Sequence, residues 1–523
     1  MVDEFGDFQT PTELVGDILT ALDWDTGPWT RVLEPTCGTG NFVAGALRRP
    51  RRPEEVIGLE IQPRYVLEAA ARFEQERSRV SINEVDAFRC DLGGLDWRTS
   101  GPLLVVGNLP WVTNAALGSI ASPNIPTKDN PKKLRGLDAV TGEANFDVAE
   151  YLWLKLLREL APSAPTIALL CKTAVARKVL EHAWRTGVPV SRADIYDLDA
   201  ARWFGVSVDA CLLRVDIGAT TTKAAGRFGG ISSRTRMGHF GLVENQLVAD
   251  FDAYQAVSYA HGKSPVEWRQ GIKHDAARAM ELKPLGHDGS ESQGCSRYVN
   301  GFGEEIELED ADIFPLAKCS DLFNDRLPPA RRLIVPHRRL GDDTEGLRKS
   351  APRTWAYLQR HRALFDGRKS SIYRGKPPFS IFGVGDYSFA SYKVAVSGLH
   401  KQARFRLVGP VDGKPVVFDD TCYILPSNSA LEASLLASLL DAAATGQLLR
   451  AIVFWDNKRP LTKKVLQRVD LCAVLRQSDP DDIARSAGAK LAGIGMNGEH
   501  VDWTQVMHEF LETHEASVEA VTA

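Results

Sequence analysis

The run Val105-Val106-Gly107-Asn108-Leu109-Pro110-Trp111 ends an apolar stretch in an amide, a proline and an indole. The Asn108 side-chain carbonyl and the Pro110 main-chain carbonyl are pure acceptors. Held together at a strand end, they can bind the two hydrogens of an exocyclic aromatic amine. Such an amine is a poor nucleophile because its lone pair is delocalised into the ring. Two fixed acceptors favour the pyramidal nitrogen that can attack. Trp111 offers a flat face on which the ring can lie. The plainer alternative, in which Pro110 ends a strand and Trp111 fills core, loses weight beside what stands upstream.

Upstream, Val32-Leu33-Glu34-Pro35-Thr36-Cys37-Gly38-Thr39-Gly40-Asn41-Phe42 places a short strand before a Gly-x-Gly turn. Glycines there let the backbone approach a ligand, and an acidic residue ending the strand can accept from an ammonium or hydroxyl. Glu60 ends the next apolar run, 20 residues beyond Gly40, where an acid commonly holds ribose hydroxyls. A dinucleotide site would add a third glycine, and that position is Val43. Asp86, in Glu84-Val85-Asp86-Ala87-Phe88, closes a third strand-like piece and can read an adenine amino group. Three acids at successive strand ends describe a pocket for an adenosine-bearing cation better than one for a pyrophosphate.

These residues need strands to carry them. Between 30 and 215, β-branched apolar runs (31–33, 56–59, 103–106, 166–170, 210–215) alternate with amphipathic segments at 64–77 and 147–160. Asp147 and Glu150 form a capping-box pattern at the start of the second segment. The alternation predicts a doubly wound α/β domain over 1–220. A Gly/Thr/Ser-rich segment, 218–234, sets the expected boundary. Residues 221–475 read as a mixed α+β domain and 476–523 as a helical extension, notably 503–515.

A length of 523 residues exceeds what one core serves, and 44% hydrophobic with 25% charged residues is ordinary for a soluble protein. No apolar run is long enough to cross a bilayer and no leader opens the chain, so a cytoplasmic location is expected. Eight scattered Cys without a C-x-x-C pair predict free thiols and no metal site. The net charge of −4 hides an asymmetry: residues 1–100 carry 11 Lys+Arg against 18 Asp+Glu, whereas 326–376 carry 14 against 4. That basic stretch is expected to face phosphates, with Arg338 and Arg339 as contacts.

Over residues 5–215 the chain resembles the N6-adenine DNA methyltransferases whose cofactor motif precedes an Asn-Pro-Pro-Tyr-type catalytic motif, the gamma class (TaqI-like). Asn108 to Trp111 matches the catalytic tetrapeptide, with Leu109 and Trp111 as departures. Glu34 to Phe42 matches the cofactor motif with Glu for Asp, and Gly6 to Pro11 looks like the N-terminal motif. The resemblance implies a Rossmann-like class I S-adenosylmethionine-dependent domain, with a C-terminal target recognition domain. It implies that S-adenosylmethionine is held by Thr10, Pro11, Glu34, Pro35, Gly38 and Gly40, with Glu60 and Ile61 at the ribose, Asp86 and Ala87 at the adenine and Phe146 on the ring face. Asn108, Pro110 and Trp111 would then be catalytic, with Trp203 or Phe204 stacking on the extruded target base. The partners implied are duplex DNA and a separate restriction endonuclease or other defence-system subunits, with no membrane.

Residues 114–145, bearing Lys128, Lys132, Lys133 and Arg135, read equally as a lid and as a surface loop. Phe379 to Tyr392 is the expected site selector. Carbon-5 cytosine chemistry needs a Cys nucleophile, and the Pro-x-Cys here lies inside the cofactor loop. N4-cytosine or RNA methylation, and a non-catalytic DNA-binding subunit of a restriction complex, remain as alternatives.

Overall fold

The computed structural model describes residues 8–22, 29–111, 147–286 and 292–522, with side chains to 514. They fall into two units, Met1–Asp252 and Ala253–Ala523. The first is built on a ten-stranded sheet of β1 (Arg31–Glu34), β2 (Glu55–Glu60), β3 (Val80–Glu84), β4 (Leu103–Asn108), β5 (Thr166–Lys172), β6 (Val190–Leu198), β7 (Ala210–Ile217), β8 (Ala224–Phe228), β9 (Arg236–Val243) and β10 (Gln246–Val248). Its order is β10-β9-β8-β6-β7-β5-β4-β1-β2-β3. Strands β3, β2, β1, β4 and β5 run parallel, and β7 lies antiparallel between β5 and β6. This is the expected Rossmann-like class I methyltransferase sheet. Helices α1 (Thr12–Ala21), α2 (Asn41–Leu47), α3 (Pro63–Arg72), α4 (Val148–Leu160), α5 (Thr173–Thr186) and α6 (Ala200–Phe204) accompany it.

The parallel strands are apolar because both of their faces are covered. Val32, Val56, Leu104, Val106 and Leu170 are buried in one cluster with Leu14, Ile18 and Phe42. Chain order reverses between β1 and β4, and the carboxyl ends of these neighbours open the crevice where ligands of such sheets bind. Asp147 caps α4, accepting from the Ala149 N–H at 3.2 Å.

Several expectations change. The boundary placed at 220 falls at 252, because β8, β9 and β10 join the first sheet. Segment 218–234, where the boundary was expected, contains β8, and the glycines and polar residues around it hide a strand paired on both sides. The helix expected over 64–77 ends at Arg72 and passes into a short 3-10 turn at Glu74–Glu76. Residues 476–523 do form helices, Pro480–Gly493 and Trp503–Thr522, but they pack on Ala430–Asp441 within the second unit.

The second unit carries a six-stranded sheet and a four-stranded one. Within the larger, Ile313–Ala317 lies between Arg331–Ile334 and Val417–Phe418; within the smaller, Tyr392–Ser397 pairs with Cys422–Ser427. The segment expected to select sequence also contributes to the core: Phe379, Ile381, Val384 and Ala390 are buried. Phe379 takes φ +63° and is held edge-on by Trp355 and Phe365. Lys393 is 1% exposed, donates to the Ala390 carbonyl at 2.5 Å, and is pushed by burial down to about 7.

Candidate active site

The cleft at the carboxyl ends of β1, β2 and β4 is lined by Thr10, Glu34, Pro35 and Gly38, by Glu60 and Ile61, by Asp86 and Ala87, and by Asn108 and Pro110. Residues from Thr10 to Pro110 thus meet at one crevice. Two expected cofactor residues are set back from it: Pro11 precedes α1 as its N-cap, and Gly40 precedes α2. Phe146 and the segment 114–145 lie outside the described residues.

Each acid has local work. One Glu34 carboxylate oxygen accepts from the Val43 N–H at 3.1 Å, so this side chain caps the start of α2. Burial raises the Glu34 carboxyl well above the usual range, the Val43 N–H opposes this, and the nearby charge of Glu60 adds to it. Glu60 accepts from the Gly38 N–H and the Gln62 N–H, each at 2.8 Å, tying the Gly-x-Gly turn to the end of β2. Asp86 accepts from the Phe88 N–H at 2.9 Å in a tight turn and pairs with Arg89 at 3.3 Å.

The two turn glycines are required. Gly38 has φ +50°, and a Cβ there would sit 2.6 Å from the Gln9 amide nitrogen. Gly40 has φ +79°, with Phe73 2.5 Å from such a Cβ.

Asn108 ends β4 beside Leu170 of β5. Its amide nitrogen donates to the Phe8 carbonyl at 3.2 Å, which fixes which way the amide faces, and its main-chain carbonyl accepts from the Thr36 hydroxyl at 3.1 Å. The Asn108 side-chain oxygen is buried and has no donor among the described residues. An unmet buried acceptor costs about 1–3 kcal/mol. The fold therefore presents an amide acceptor at the cleft with its partner missing.

Trp111 is buried at 8% exposure and packs against Phe8 at 5.7 Å and edge-on against Phe204 at 5.1 Å. Phe8 and Phe204 also touch, at 5.7 Å. Of the two aromatics considered for the second face of the target, Phe204 adjoins the Asn-Leu-Pro-Trp motif. Trp203 instead lies under the Arg202 guanidinium at 4.6 Å.

Sequence reasoning missed Gln9, Tyr65 and Phe88, which also line the cleft. Gln9 accepts from the Thr39 N–H and hydroxyl at 3.2 and 3.0 Å. Its signal was present, since it lies inside the N-terminal motif. In the second unit, Arg338 stacks on Phe314 and Phe389 at 4.8 and 4.4 Å and lies 3.8 Å from Asp312, and Arg339 pairs with Asp386 at 2.9 Å.

No family model matches the chain. The solved structure of the type IIL restriction-modification enzyme MmeI in complex with DNA aligns with 97% of this chain and 76% of its own, at 12% identity and a TM-score of 0.49. The type IIG restriction endonuclease BpuSI aligns with 97% and 65%, at 14% identity and a TM-score of 0.35. Both likenesses are too remote to bear on activity. The type II methyltransferase M.NspV of Nostoc sp. is 35% identical over 476 residues, spanning 90% of this chain and 96% of the relative. Sharing that identity along nearly its whole length, the chain belongs to the type II DNA methyltransferases.

Proposed function

We propose that the protein transfers a methyl group from S-adenosylmethionine to the N6 amine of adenine within a short sequence of duplex DNA, as the modifying partner in a restriction-modification system. The observation that carries this reading is the buried Asn108 oxygen, without a donor among the described residues, at a cleft that Glu34, Glu60 and Asp86 also line. Kinship with M.NspV supports the DNA substrate and the setting.

The cleft suits a cationic adenosine compound. Two acids, Glu34 and Glu60, lie close enough for the charge of one to raise the other. Asp86 and Phe88 both line the cleft, which supports Asp86 reading an adenine edge and Phe88 covering the ring. When bound, S-adenosylmethionine supplies a methyl group on a sulfonium, an electrophile that needs no metal.

The chain's residues do the rest. The Asn108 side-chain oxygen and the Pro110 carbonyl accept the two N–H groups of the target amine. The Asn108 nitrogen, held on Phe8, keeps the acceptor facing the amine. Trp111 and Phe204, in edge-on contact at 5.1 Å, must part to take the base between them. An N6 amine inside a duplex cannot reach this site, so the adenine must be extruded. Asn108, where N4-cytosine enzymes more often carry Ser, favours adenine.

Transfer of labelled methyl from S-adenosylmethionine to duplex DNA tests the reading. Wild-type protein should label adenine, and Asn108→Ala should not, while calorimetry finds S-adenosylmethionine binding retained. Near wild-type labelling by Asn108→Ala would remove the assignment.

A further inference from the structure

We infer that a second surface of the C-terminal unit, built from the turns 398–404 and 456–464, grips the phosphate backbone of duplex DNA. This rests on the DNA substrate proposed above. The two turns are distant in sequence but adjacent in space. The Lys401 ammonium donates to the Asn457 carbonyl at 2.7 Å. Gly398 lies so close to the other turn that a Cβ there would be 3.1 Å from the Leu461 carbonyl oxygen.

Together they carry six Lys and Arg against one acid, Asp456. Five of the six, all but Lys463, have no carboxylate within ion-pair distance among the described residues. Lys401 is held by a carbonyl, and Arg404 by the Gln402 side-chain oxygen at 3.2 Å and the Phe323 carbonyl at 3.1 Å, all neutral acceptors. Among the described residues, no carboxylate lies within ion-pair distance of Lys458, Arg459 or Lys464, and both lysines are exposed. The acids on neighbouring elements are taken: Glu267 pairs with Lys463 at 2.7 Å, and Asp325 with Arg406 at 3.2 Å.

The turn is also stiffened. The Phe323 ring stacks with His400 at 3.9 Å and carries the Arg404 guanidinium at 4.4 Å. By contrast, half of the fourteen cations in 326–376 are paired with carboxylates. Exposed or half-exposed cations without a carboxylate partner, on short turns and at the start of a short helix, suit an extended polyanion, adding affinity without sequence information.

The test uses the full-length protein and a labelled duplex of arbitrary sequence, with affinity measured across salt. Each phosphate contact contributes about 0.9 to the slope of log K against log salt. The triple variant Lys458→Ala, Arg459→Ala, Lys464→Ala should flatten the slope by about 2.7. Between about 50 and about 200 mM salt, wild type should therefore lose about fortyfold more affinity than the variant. The charge-keeping triple Lys458→Arg, Arg459→Lys, Lys464→Arg should retain the wild-type slope, and both should bind S-adenosylmethionine as wild type does.

A wild-type slope in the alanine triple, with duplex binding intact, overturns the proposal and gives the patch to another partner, such as an acidic protein surface. Equal flattening in both triples overturns it too, since shape and not charge would then be at work. Failure of wild type itself to bind duplex in a salt-dependent way would fell the DNA reading on which the proposal rests.

Discussion

In the first unit the groups proposed to act are few and buried, whereas in the second the charges proposed to hold DNA are numerous and mostly exposed. The Asn108 oxygen and Glu34 lie where water does not compete, so each interaction is strong and the loss of one is felt whole. Lys401, Lys458 and Lys464 stand in solvent, where salt screens them over about 8 Å at physiological ionic strength. Losses there should be small, additive and salt-dependent. On the proposed reading, one unit does chemistry at a point and the other attaches along a line.

The contrast is broken most directly at Asn108. Asn108→Ala should lower the rate of methyl transfer by about 10²–10³-fold, as loss of one preorganised transition-state partner does elsewhere. Its melting temperature should not fall by a matching amount, because the substitution also removes an unmet buried acceptor. A parallel loss of rate and stability would mean that Asn108 is structural.

Glu60→Ala should come next. It frees the Gly38 and Gln62 N–H groups and removes the acid placed for the ribose, so S-adenosylmethionine affinity should drop about 10–100-fold by calorimetry. Unchanged affinity would remove Glu60 from the cofactor's partners.

Smaller again is Arg338→Ala with Arg339→Ala. Both arginines already have carboxylate neighbours, so in the folded double variant the salt slope should flatten less than in the triple at 458, 459 and 464. Equal or greater flattening would return the phosphate face to 326–376.

The two units should also respond to pH with opposite sign. Burial raises Glu34, so the folded first unit holds that proton more tightly than the unfolded chain, and the stability this contributes is lost as pH rises. The melting temperature of Glu34→Gln relative to wild type should therefore climb with pH. Lys393 is pushed down to about 7, so its folded form binds the proton less tightly, and stability falls as pH drops from the usual lysine range through 7. Lys393→Met should gain most over wild type below about pH 7, with the gap closing as pH rises. Melting curves across pH check both, and gaps that move together would contradict them.

How much could be read beforehand follows the same division. Strands β1, β2, β4, β5 and β7 were legible because both faces are covered and the sequence is continuously apolar. Strand β6 was not, since Arg192 and Asp194 interrupt it and pair with each other at 2.5 Å. Glu34, Glu60 and Asn108 were legible because each closes a strand, and Asp86 because it follows the end of β3 by two residues, so spacing alone places them at one sheet edge. Gln9 stood inside a legible motif, but its contact with Thr39, 30 residues away, was not legible. In the second unit the conspicuous basic run is half neutralised internally, and the uncompensated patch is assembled from two segments that look unremarkable apart. Local pattern reveals a site built on strand ends and conceals one built on surface turns.

The central claim is the chemistry at Asn108, and its most direct test is mass spectrometry of nucleosides from the DNA of a host, free of its own methyltransferases, that expresses the protein. The account predicts N6-methyladenine with wild type and none with Asn108→Ala at equal expression. N4-methylcytosine in place of N6-methyladenine, or N6-methyladenine undiminished in the variant, would contradict it.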